Sequence, residues 1–188
     1  MEEKKRCKWC NMKNPLYIEY HDNEWGRYRL DDGHLYEMLI LESFQAGLSW
    51  ECVLNKREAM RLAFDGFDIK RVKEYGESEK NELMANKAII RNSRKINAAV
   101  QNSIIFEEIQ KEFGSFKDYL LGFTGGKIIY ETDKTTNFLS DAISKDLQKR
   151  GMKFVGSTII YSLLQAVGVI YSHDKECFLF KKNRIINE

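Results

Sequence analysis

The stretch Glu42-Ser-Phe-Gln-Ala-Gly-Leu-Ser-Trp50 decides the fold and the candidate site of this chain. It ends a segment in which Leu35, Met38 and Leu39 mark one helical face, and Glu42 occupies the next position on that face. The spacing therefore predicts a helix over residues 35–46 that carries a carboxylate in a core position.

The boundaries of this helix are also marked in the sequence. Asp31 or Asp32 is placed to cap its start, and Gly47 can adopt the left-handed conformation that closes a helix. Ser49 is placed to cap a second helix that begins at Trp50. The sequence thus predicts a buried acid, a tight turn and a large aromatic side chain close together.

Length and composition indicate an ordinary globular protein. The chain has 188 residues, 43% of them hydrophobic and 31% charged, and it is long enough to bury a core without disulfides. No apolar run approaches the length of a membrane span, and the start, Met1-Glu-Glu-Lys-Lys-Arg6, lacks the apolar core of a signal peptide. We expect a single domain, residues 1–188, located in the cytoplasm.

The net charge of +2 does not by itself indicate a nucleic-acid partner. Basic residues do cluster in three places: Lys87, Arg91, Arg94 and Lys95; Lys145, Lys149, Arg150 and Lys153; and Lys181, Lys182 and Arg184. Each cluster is compatible with a solvated helix face or with a contact to phosphates.

Most of the remaining chain is predicted to be helical, with minimal strand content. The apolar periodicity predicts a long helix over 92–113 that Gly114 ends, and 122–137 is predicted to be mainly a loop. Further helices are predicted over 50–64, after caps at Asp68, Ser78 and Ser115, from Ser140 to Arg150, and over 157–171. The fold class is therefore all-α.

One group of residues has the composition of a metal site. His173 and Cys177 are four residues apart, and Cys7 and His21 offer a thiol and an imidazole at the other end of the chain. Zinc favours four such ligands, and a site of this kind would fasten the N-terminal segment, 1–25, to the C-terminal segment, 171–188. A chance grouping is the alternative, and Cys10 is a competing ligand, since Cys7-Lys-Trp-Cys10 is also a CxxC pair.

A second candidate is the connection Gly151-Met-Lys-Phe-Val-Gly156. A short glycine-bounded loop followed by Ser157 at a helix start presents free N–H groups and a positive dipole end, which suits a phosphate. Lys153 adds a positive charge. An ordinary helical hairpin whose glycines serve as caps is equally compatible with the spacing.

A third candidate is a concentration of aromatic residues near Glu42. These residues are Trp9, Tyr17, Tyr20, Trp25 and Trp50. They are suited to stack on a planar ring and equally suited to form a packing cluster.

Three motifs together resemble a known family. They are Tyr17-Ile-Glu-Tyr-His-Asp-Asn-Glu-Trp-Gly26, Leu41-Glu-Ser-Phe-Gln-Ala-Gly-Leu-Ser-Trp50 and Lys149-Arg-Gly-Met-Lys-Phe-Val-Gly156. In content and order they closely resemble the DNA-3-methyladenine glycosylase I family. The resemblance covers nearly the whole chain and is weakest over 107–137.

The resemblance implies a helix-hairpin-helix fold and excision of 3-methyladenine from double-stranded DNA, by a monomer with no membrane role. It also implies one structural zinc ion held by Cys7, His21, His173 and Cys177. It implies a base pocket formed by Trp9, Tyr17, Tyr20, Glu42 and Trp50, in which Glu42 serves recognition first and catalysis second. It implies DNA contacts by Gln45, Leu48, Gly151, Lys153, Gly156 and Ser157, with Leu48 as an apolar wedge.

The sequence departs from the family pattern at a few positions. Ser43 and Phe44 replace residues that are often glycine and glutamine, so the pocket wall is expected to be reshaped. Asp174 lies about where the broader helix-hairpin-helix glycosylases place a catalytic aspartate, but it directly follows the expected ligand His173 and is not expected to be catalytic. The lysine of bifunctional relatives would fall near Ser157 or Thr158, which predicts no lyase step.

Two other kinds of protein fit some of these features. One is a DNA-binding module that recognises lesions without cutting, and the other is a zinc-stabilised interaction domain. A buried Glu42 surrounded by aromatic residues favours the enzyme, because a protein that binds only the DNA backbone needs no base-sized polar pocket.

Overall fold

The computed structural model describes residues 4–180 and is built mainly from helices. Its elements are α1 (Pro15–Asn23), α2 (Asp32–Gln45), α3 (Trp50–Leu54), α4 (Arg57–Ala63), α5 (Ile69–Val72), α6 (Glu77–Ala85), α7 (Ser93–Phe113), α8 (Phe116–Thr124), β1 (Ile129–Tyr130), α9 (Phe138–Lys149), α10 (Ser157–Ala166) and β2 (Ile170–Tyr171), with a 3-10 turn at Asp65–Phe67. The end of the predicted C-terminal segment, and with it the third basic cluster, lies outside the described residues. None of the described helices combines the length and the apolarity that crossing a membrane requires.

Helix α2 is the centre of the core. Asp31 caps it by accepting a hydrogen bond from the His34 N–H at 3.0 Å, as the sequence predicts. Every residue from Leu35 to Phe44 except Glu37 is buried, so the buried surface extends all round the helix and not along one face. The reason is that α3, α7, α8 and α10 all contact α2.

Several other sequence-predicted boundaries are confirmed. Asn92 caps α7, which runs unbroken to Phe113 and is closed by Gly114 at a φ of 91°. The hydroxyl and carboxylate caps predicted at Ser49, Asp68 and Ser115 accept hydrogen bonds from the first turns of α3, α5 and α8.

The single helix predicted over 50–64 is wrong, because the chain breaks it into α3 and α4. At the break, the Asn55 side chain accepts a hydrogen bond from Asn14 at 2.9 Å, and Lys56 Nζ donates to the Ala88 carbonyl at 2.9 Å. Both are contacts to distant parts of the chain, so local periodicity does not reveal them.

Two predicted helix starts are also wrong by two or three residues. Helix α6 begins after Gly76, not Ser78, and the Gly76 N–H donates to Glu79 Oε2 at 2.8 Å. Helix α9 begins after Asn137, and Ser140 lies inside its first turn, where the two side chains exchange hydrogen bonds with each other's backbone N–H groups. Polar residues in the first turn resemble caps when only the sequence is read.

The last predicted helix is too long, since α10 ends at Ala166 and not near Tyr171. The chain then turns at Gly168, with a φ of 78°, into β2. Strand β2 pairs in parallel with β1 in the register Ile129↔Ile170, so strand content is minimal as expected. The predicted loop over 122–137 starts later than expected, because α8 continues to Thr124.

The turn after α10 brings two chain segments into direct backbone contact. The Gly26 N–H donates to the Ala166 carbonyl at 3.3 Å, and the Arg29 N–H donates to the Val167 carbonyl at 3.0 Å. A β-carbon on Gly168 would lie 2.4 Å from the Arg27 carbonyl carbon. Only glycine allows this approach.

We therefore predict that Gly168→Ala lowers the free energy of unfolding by about 3 kcal/mol or more, since it adds a backbone clash to an unfavourable φ. The matched control is Gly66→Ala, because Gly66 has a φ of 69° and no atom near the added carbon. The control should cost only about 1 kcal/mol. Urea unfolding of both variants measures the difference, and equal costs would contradict the close approach at Gly168.

Candidate active site

A tight turn connects α2 to α3. The Leu48 N–H donates to the Gln45 carbonyl at 2.6 Å, Ala46 has φ and ψ of −47° and 113°, and Gly47 has the left-handed φ of 77°. These angles define a type II turn, which requires a positive φ at its third residue. The turn sends the chain back along α2, so that Trp50 comes to lie near Glu42. Leu48 remains 41% exposed at the tip of the turn.

A cavity of about 240 Å³ lies between this turn and the N-terminal segment. Its aromatic walls are Trp9, Tyr17, Tyr20, Trp25 and Trp50. Its polar walls are Glu42, Gln45, Asp133, Ser162, Gln165, Ser172 and Asp174. The volume suits a small planar ligand better than an extended one.

The structure thus brings together all five residues that the sequence places in a base pocket, and Gln45 joins them. The family resemblance did not assign Trp25, although the concentration of aromatic residues near Glu42 includes it. Neither line of reasoning assigned the polar residues from the C-terminal half of the chain. Ser162 and Gln165 are three residues apart on α10 and share a face, which is a detectable signal. Asp133 lies on an irregular loop and offers no such signal.

The aromatic rings contact one another at steep angles. Trp9 lies 4.7 Å from Trp25 and 5.4 Å from Tyr17 between ring centroids, with interplanar angles of 68° and 51°. Tyr20 lies 5.1 Å from Trp50 at 41°. None of these three pairs is stacked in parallel, so no ring in them covers the full face of its neighbour.

Glu42 is the electrostatically unusual group of the cavity. Its side chain is almost fully buried, and its Oε2 atom has no hydrogen-bond partner within the described protein. Burial raises the pKa of Glu42 to about 8, so the isolated protein carries this acid mainly in its protonated form at neutral pH. The indole Nε1 of Trp50 is likewise buried and has no hydrogen-bond partner among residues 4–180. The cavity therefore presents an acceptor and a donor that are not satisfied internally.

We predict that Glu42→Gln stabilises the fold at alkaline pH. Well below pH 4.5 both the folded and unfolded states hold the proton, so the ionisation of Glu42 contributes nothing to the stability difference between them. As the pH rises toward 8, the unfolded chain loses the proton while the folded chain retains it, and above pH 8 the full cost of about 5 kcal/mol is present. The melting temperature of the variant should exceed that of the wild type by more at pH 8.5 than at pH 5.5.

Glu37 on the same helix provides a control of opposite sign. Burial opposes its ionisation, but hydrogen bonds and charges from Arg57 and Arg61 outweigh that effect and lower the pKa of Glu37. Glu37→Gln should therefore destabilise the protein at neutral pH. A Glu42→Gln benefit that does not depend on pH would contradict the assignment of a raised pKa.

Four buried side chains form a candidate metal centre. Cys7, His21, His173 and Cys177 place one ligand atom each within 4.8 Å of one another. The His173 Nδ1 atom lies 3.4 Å from Cys7 Sγ and 3.6 Å from Cys177 Sγ, and His21 Nε2 lies 3.5 Å from Cys177 Sγ. Cys10 is outside the group, and its thiol faces the Tyr17 carbonyl at 3.7 Å.

The surroundings of the group suit a metal ion. Asp22 Oδ1 lies 2.8 Å from His21 Nδ1, which leaves Nε2 directed at the cluster, and two hydrogen bonds from Arg6 hold the carboxylate. Backbone N–H groups of Asp174 and Leu179 approach the two sulfur atoms at 3.3 and 3.4 Å, as is favourable for thiolates. The donor set and its outer contacts fit an ion.

The cluster is continuous with the cavity wall. The His173 ring lies 4.7 Å from Trp25, and the His21 ring lies 5.2 Å from Trp9. Asp174 accepts a hydrogen bond from the Lys8 N–H at 2.7 Å, which further ties the two terminal segments together. The four side chains thus fix the walls that Trp9 and Trp25 provide.

The loop 151–156 connects α9 to α10 and presents one exposed cation. Lys153 is exposed, while Met152 and Val155 anchor the loop in the core. Gly156 caps α10 without a side chain, which leaves N–H groups of the first turn free. The Ser157 hydroxyl donates to Asp141, so Ser157 retains only its backbone N–H for a ligand.

The structure differs from what the sequence predicts at three further places. Ser43 and Phe44 do not line the cavity; the Phe44 ring packs in the core, 5.8 Å from that of Phe64. Lys95 belongs to a basic cluster whose sequence is compatible with a solvated helix face or a phosphate contact, but its side chain is buried, with 6% exposed. Arg150 is held by Glu112 and Asp146 and so is not a free cation.

This helical fold combines a small cavity with aromatic walls, a buried acid in that cavity and a Cys2His2 group beside it. Together these features indicate a protein that binds a small planar ligand. The family model for methyladenine glycosylases matches residues 9–180, and the chain belongs to that family.

Individual relatives agree with this membership. DNA-3-methyladenine glycosylase 1 of Escherichia coli (strain K12) is 40% identical over 186 residues, covering 95% of this chain and 98% of the relative. A crystal structure of 3-methyladenine DNA glycosylase I superposes with a TM-score of 0.90 at 40% identity, over 94% of this chain and all of the other. The 3-methyladenine DNA glycosylase I of Staphylococcus aureus, solved to explain its recognition of 3-methyladenine, gives a TM-score of 0.89 at 31% identity, over 95% and 100% of the two chains.

Proposed function

We propose that this protein is a monofunctional DNA glycosylase that excises 3-methyladenine from alkylated double-stranded DNA. The damaged nucleotide rotates out of the duplex into the cavity, where water hydrolyses its N-glycosidic bond. The observation that carries the proposal is the buried, unpartnered Glu42 carboxyl among aromatic walls, in a chain of the methyladenine glycosylase family.

The cavity is suited to a cationic base. A methylated adenine in DNA carries a positive charge, and the electron-rich faces of Trp9, Tyr17, Tyr20 or Trp50 attract a cation more strongly than a neutral ring. The same charge lowers the pKa of the neighbouring acid, so binding favours the Glu42 carboxylate and releases its proton. The carboxylate then accepts a hydrogen bond from the adenine amino group.

Bond cleavage needs little further help from the protein. When the glycosidic bond breaks, its electron pair moves to the base and neutralises the positive ring, which makes 3-methyladenine a good leaving group. The sugar passes through an oxocarbenium-like state that water attacks. The protein contributes position and a negative charge at Glu42.

The DNA-facing surface is proposed to join two elements. Residues 151–156 serve as the hairpin of a helix-hairpin-helix fold, in which Gly151, Gly156 and the Ser157 N–H approach a phosphate and Lys153 supplies charge. The turn after α2 faces the same duplex, and Leu48 fills the space that the flipped nucleotide leaves. The exposure of Lys153 and Leu48 supports this assignment.

The metal is proposed to be one structural zinc ion. It would join the N-terminal and C-terminal segments of a single glycosylase domain. Tetrahedral zinc with sulfur and nitrogen ligands gives S···N separations of about 3.5 Å. Three of the four S···N separations in the cluster, at 3.4, 3.5 and 3.6 Å, match that value. Four protein ligands leave no position for a water, so the ion stabilises the pocket walls and takes no part in the reaction.

The central test is release of free 3-methyladenine from methylated duplex DNA, measured by chromatography with 7-methylguanine release alongside. The wild type should release the first base and little of the second. Glu42→Gln should reduce release of 3-methyladenine by about a hundredfold or more, because the cation loses its charged partner.

Glu37→Gln is the matched control for this experiment, since Glu37 lies on the same helix but outside the cavity. It should retain activity at a temperature where it is folded. DNA binding without base release would favour the non-enzymatic lesion-binding module, and neither binding nor release would favour the interaction domain.

The zinc assignment is tested with paired cysteine variants. The purified wild type and Cys10→Ser should each contain one zinc per chain by elemental analysis. Cys7→Ser should lose the ion and melt at a lower temperature, because the terminal segments are no longer joined. Full zinc content in Cys7→Ser, or its loss in Cys10→Ser, would refute the ligand set.

A further inference from the structure

Helix α7 contacts both proposed DNA-facing elements through buried polar side chains. Lys95 and Asn102 are seven residues apart, so they lie on one face of α7, two turns or about 10 Å from each other. Lys95 is 6% exposed and Asn102 is fully buried. Neither side chain belongs to the cavity or to the metal cluster.

Lys95 holds the turn that carries Leu48. Its Nζ atom donates to the Phe44 carbonyl at 2.7 Å and to the Ala46 carbonyl at 2.6 Å. These two carbonyls lie at the C-terminal end of α2, where no helical N–H group is available to them. The Leu48 N–H donates to the Gln45 carbonyl, which lies between them in the chain. Three successive carbonyls are thereby satisfied, and the turn is fixed from both sides.

Asn102 holds the loop 151–156 in a similar way. Its Nδ2 donates to the Lys153 carbonyl at 2.9 Å, and its Oδ1 accepts from the Lys153 N–H at 2.8 Å. Lys95 also approaches this loop, since its Nζ lies 6.0 Å from the centroid of the Phe154 ring. One face of α7 therefore sets the spacing between the turn and the loop.

We infer that Lys95 is a positioning residue that fixes the Leu48 turn relative to the loop 151–156, so that Leu48 enters the duplex when the loop holds the phosphates. The inference rests on the proposed function. Burial lowers the pKa of Lys95, yet its role survives loss of the charge, because a neutral amine still has two N–H groups to donate.

The test compares Lys95→Met with Lys111→Met. Lysine and methionine have similar helix propensities, and Lys111 is 70% exposed on the same helix, far from the turn. In single-turnover assays on methylated duplex DNA, Lys95→Met should slow release of 3-methyladenine about tenfold or more. Lys111→Met should release the base at the wild-type rate.

Two further measurements separate positioning from general damage. Binding of free 3-methyladenine, followed by tryptophan fluorescence, should be unchanged in Lys95→Met, because the cavity does not include the lysine. The double variant Lys95→Met/Leu48→Ala should be no slower than Leu48→Ala alone, since both act through one wedge. Weakened base binding, additive effects or an undiminished rate would each overturn the inference.

Gly47→Ala serves if Lys95→Met does not fold. A β-carbon on Gly47 meets no atom within 4 Å, so this variant strains only the φ of the turn. It should show the same slow release with normal base binding, and full activity in it would overturn the inference. Failure of the wild type itself to release 3-methyladenine would instead refute the proposed function. The wild-type assay therefore distinguishes that outcome from failure of the inference about Lys95.

Discussion

The structure depends on one unfavourable constraint, which is the burial of the Glu42 carboxyl in the central helix without a partner. Burial of Glu42, with no hydrogen bond to its Oε2 among the described residues, destabilises the charged form of the carboxyl. The raised pKa of about 8 reflects that cost. The helix that carries it is buried on all sides by apolar residues, which supply the stability that the acid removes. Such a group persists in a protein when a ligand supplies the missing partner.

The cavity around Glu42 is assembled from distant parts of the chain. Trp9 and Tyr17 come from the N-terminal segment, Trp50 from the helix after the turn, and Gln165 from α10. A segment as short as the one that carries Trp9 has few apolar contacts of its own to hold it. The contacts among Cys7, His21, His173 and Cys177, together with the hydrogen bond from Lys8 to Asp174, connect this segment to the C-terminal part of the chain.

The positions of the turn after α2 and the loop 151–156 follow from the same principle. A turn at a helix end and a loop between two helices lie at the surface. Their backbone N–H and C=O groups need hydrogen-bond partners in the protein if these segments are to be rigid. Lys95 and Asn102 satisfy those backbone groups from one rigid helix. Helix α7 thereby sets the position of the turn relative to the loop, while the side chains of Leu48 and Lys153 remain exposed at the surface.

The sequence by itself determined most of the helices, the core position of Glu42 and the turn at Gly47, because periodicity and caps are local signals. Spacing left the grouping of Cys7, His21, His173 and Cys177 open against a chance grouping or a ligand at Cys10, and the family resemblance supplied the complete set. The sequence did not determine the break between α3 and α4, the end of α10 at Ala166 before the turn at Gly168, or the burial of Lys95. Each of these depends on contacts with residues far away in the chain, such as Ala88, Arg27 and Phe44. Only the tertiary structure decided that Cys10 stands outside the metal group and that Phe44 faces the core and not the cavity, since those outcomes depend on three-dimensional direction, which spacing along a chain does not encode.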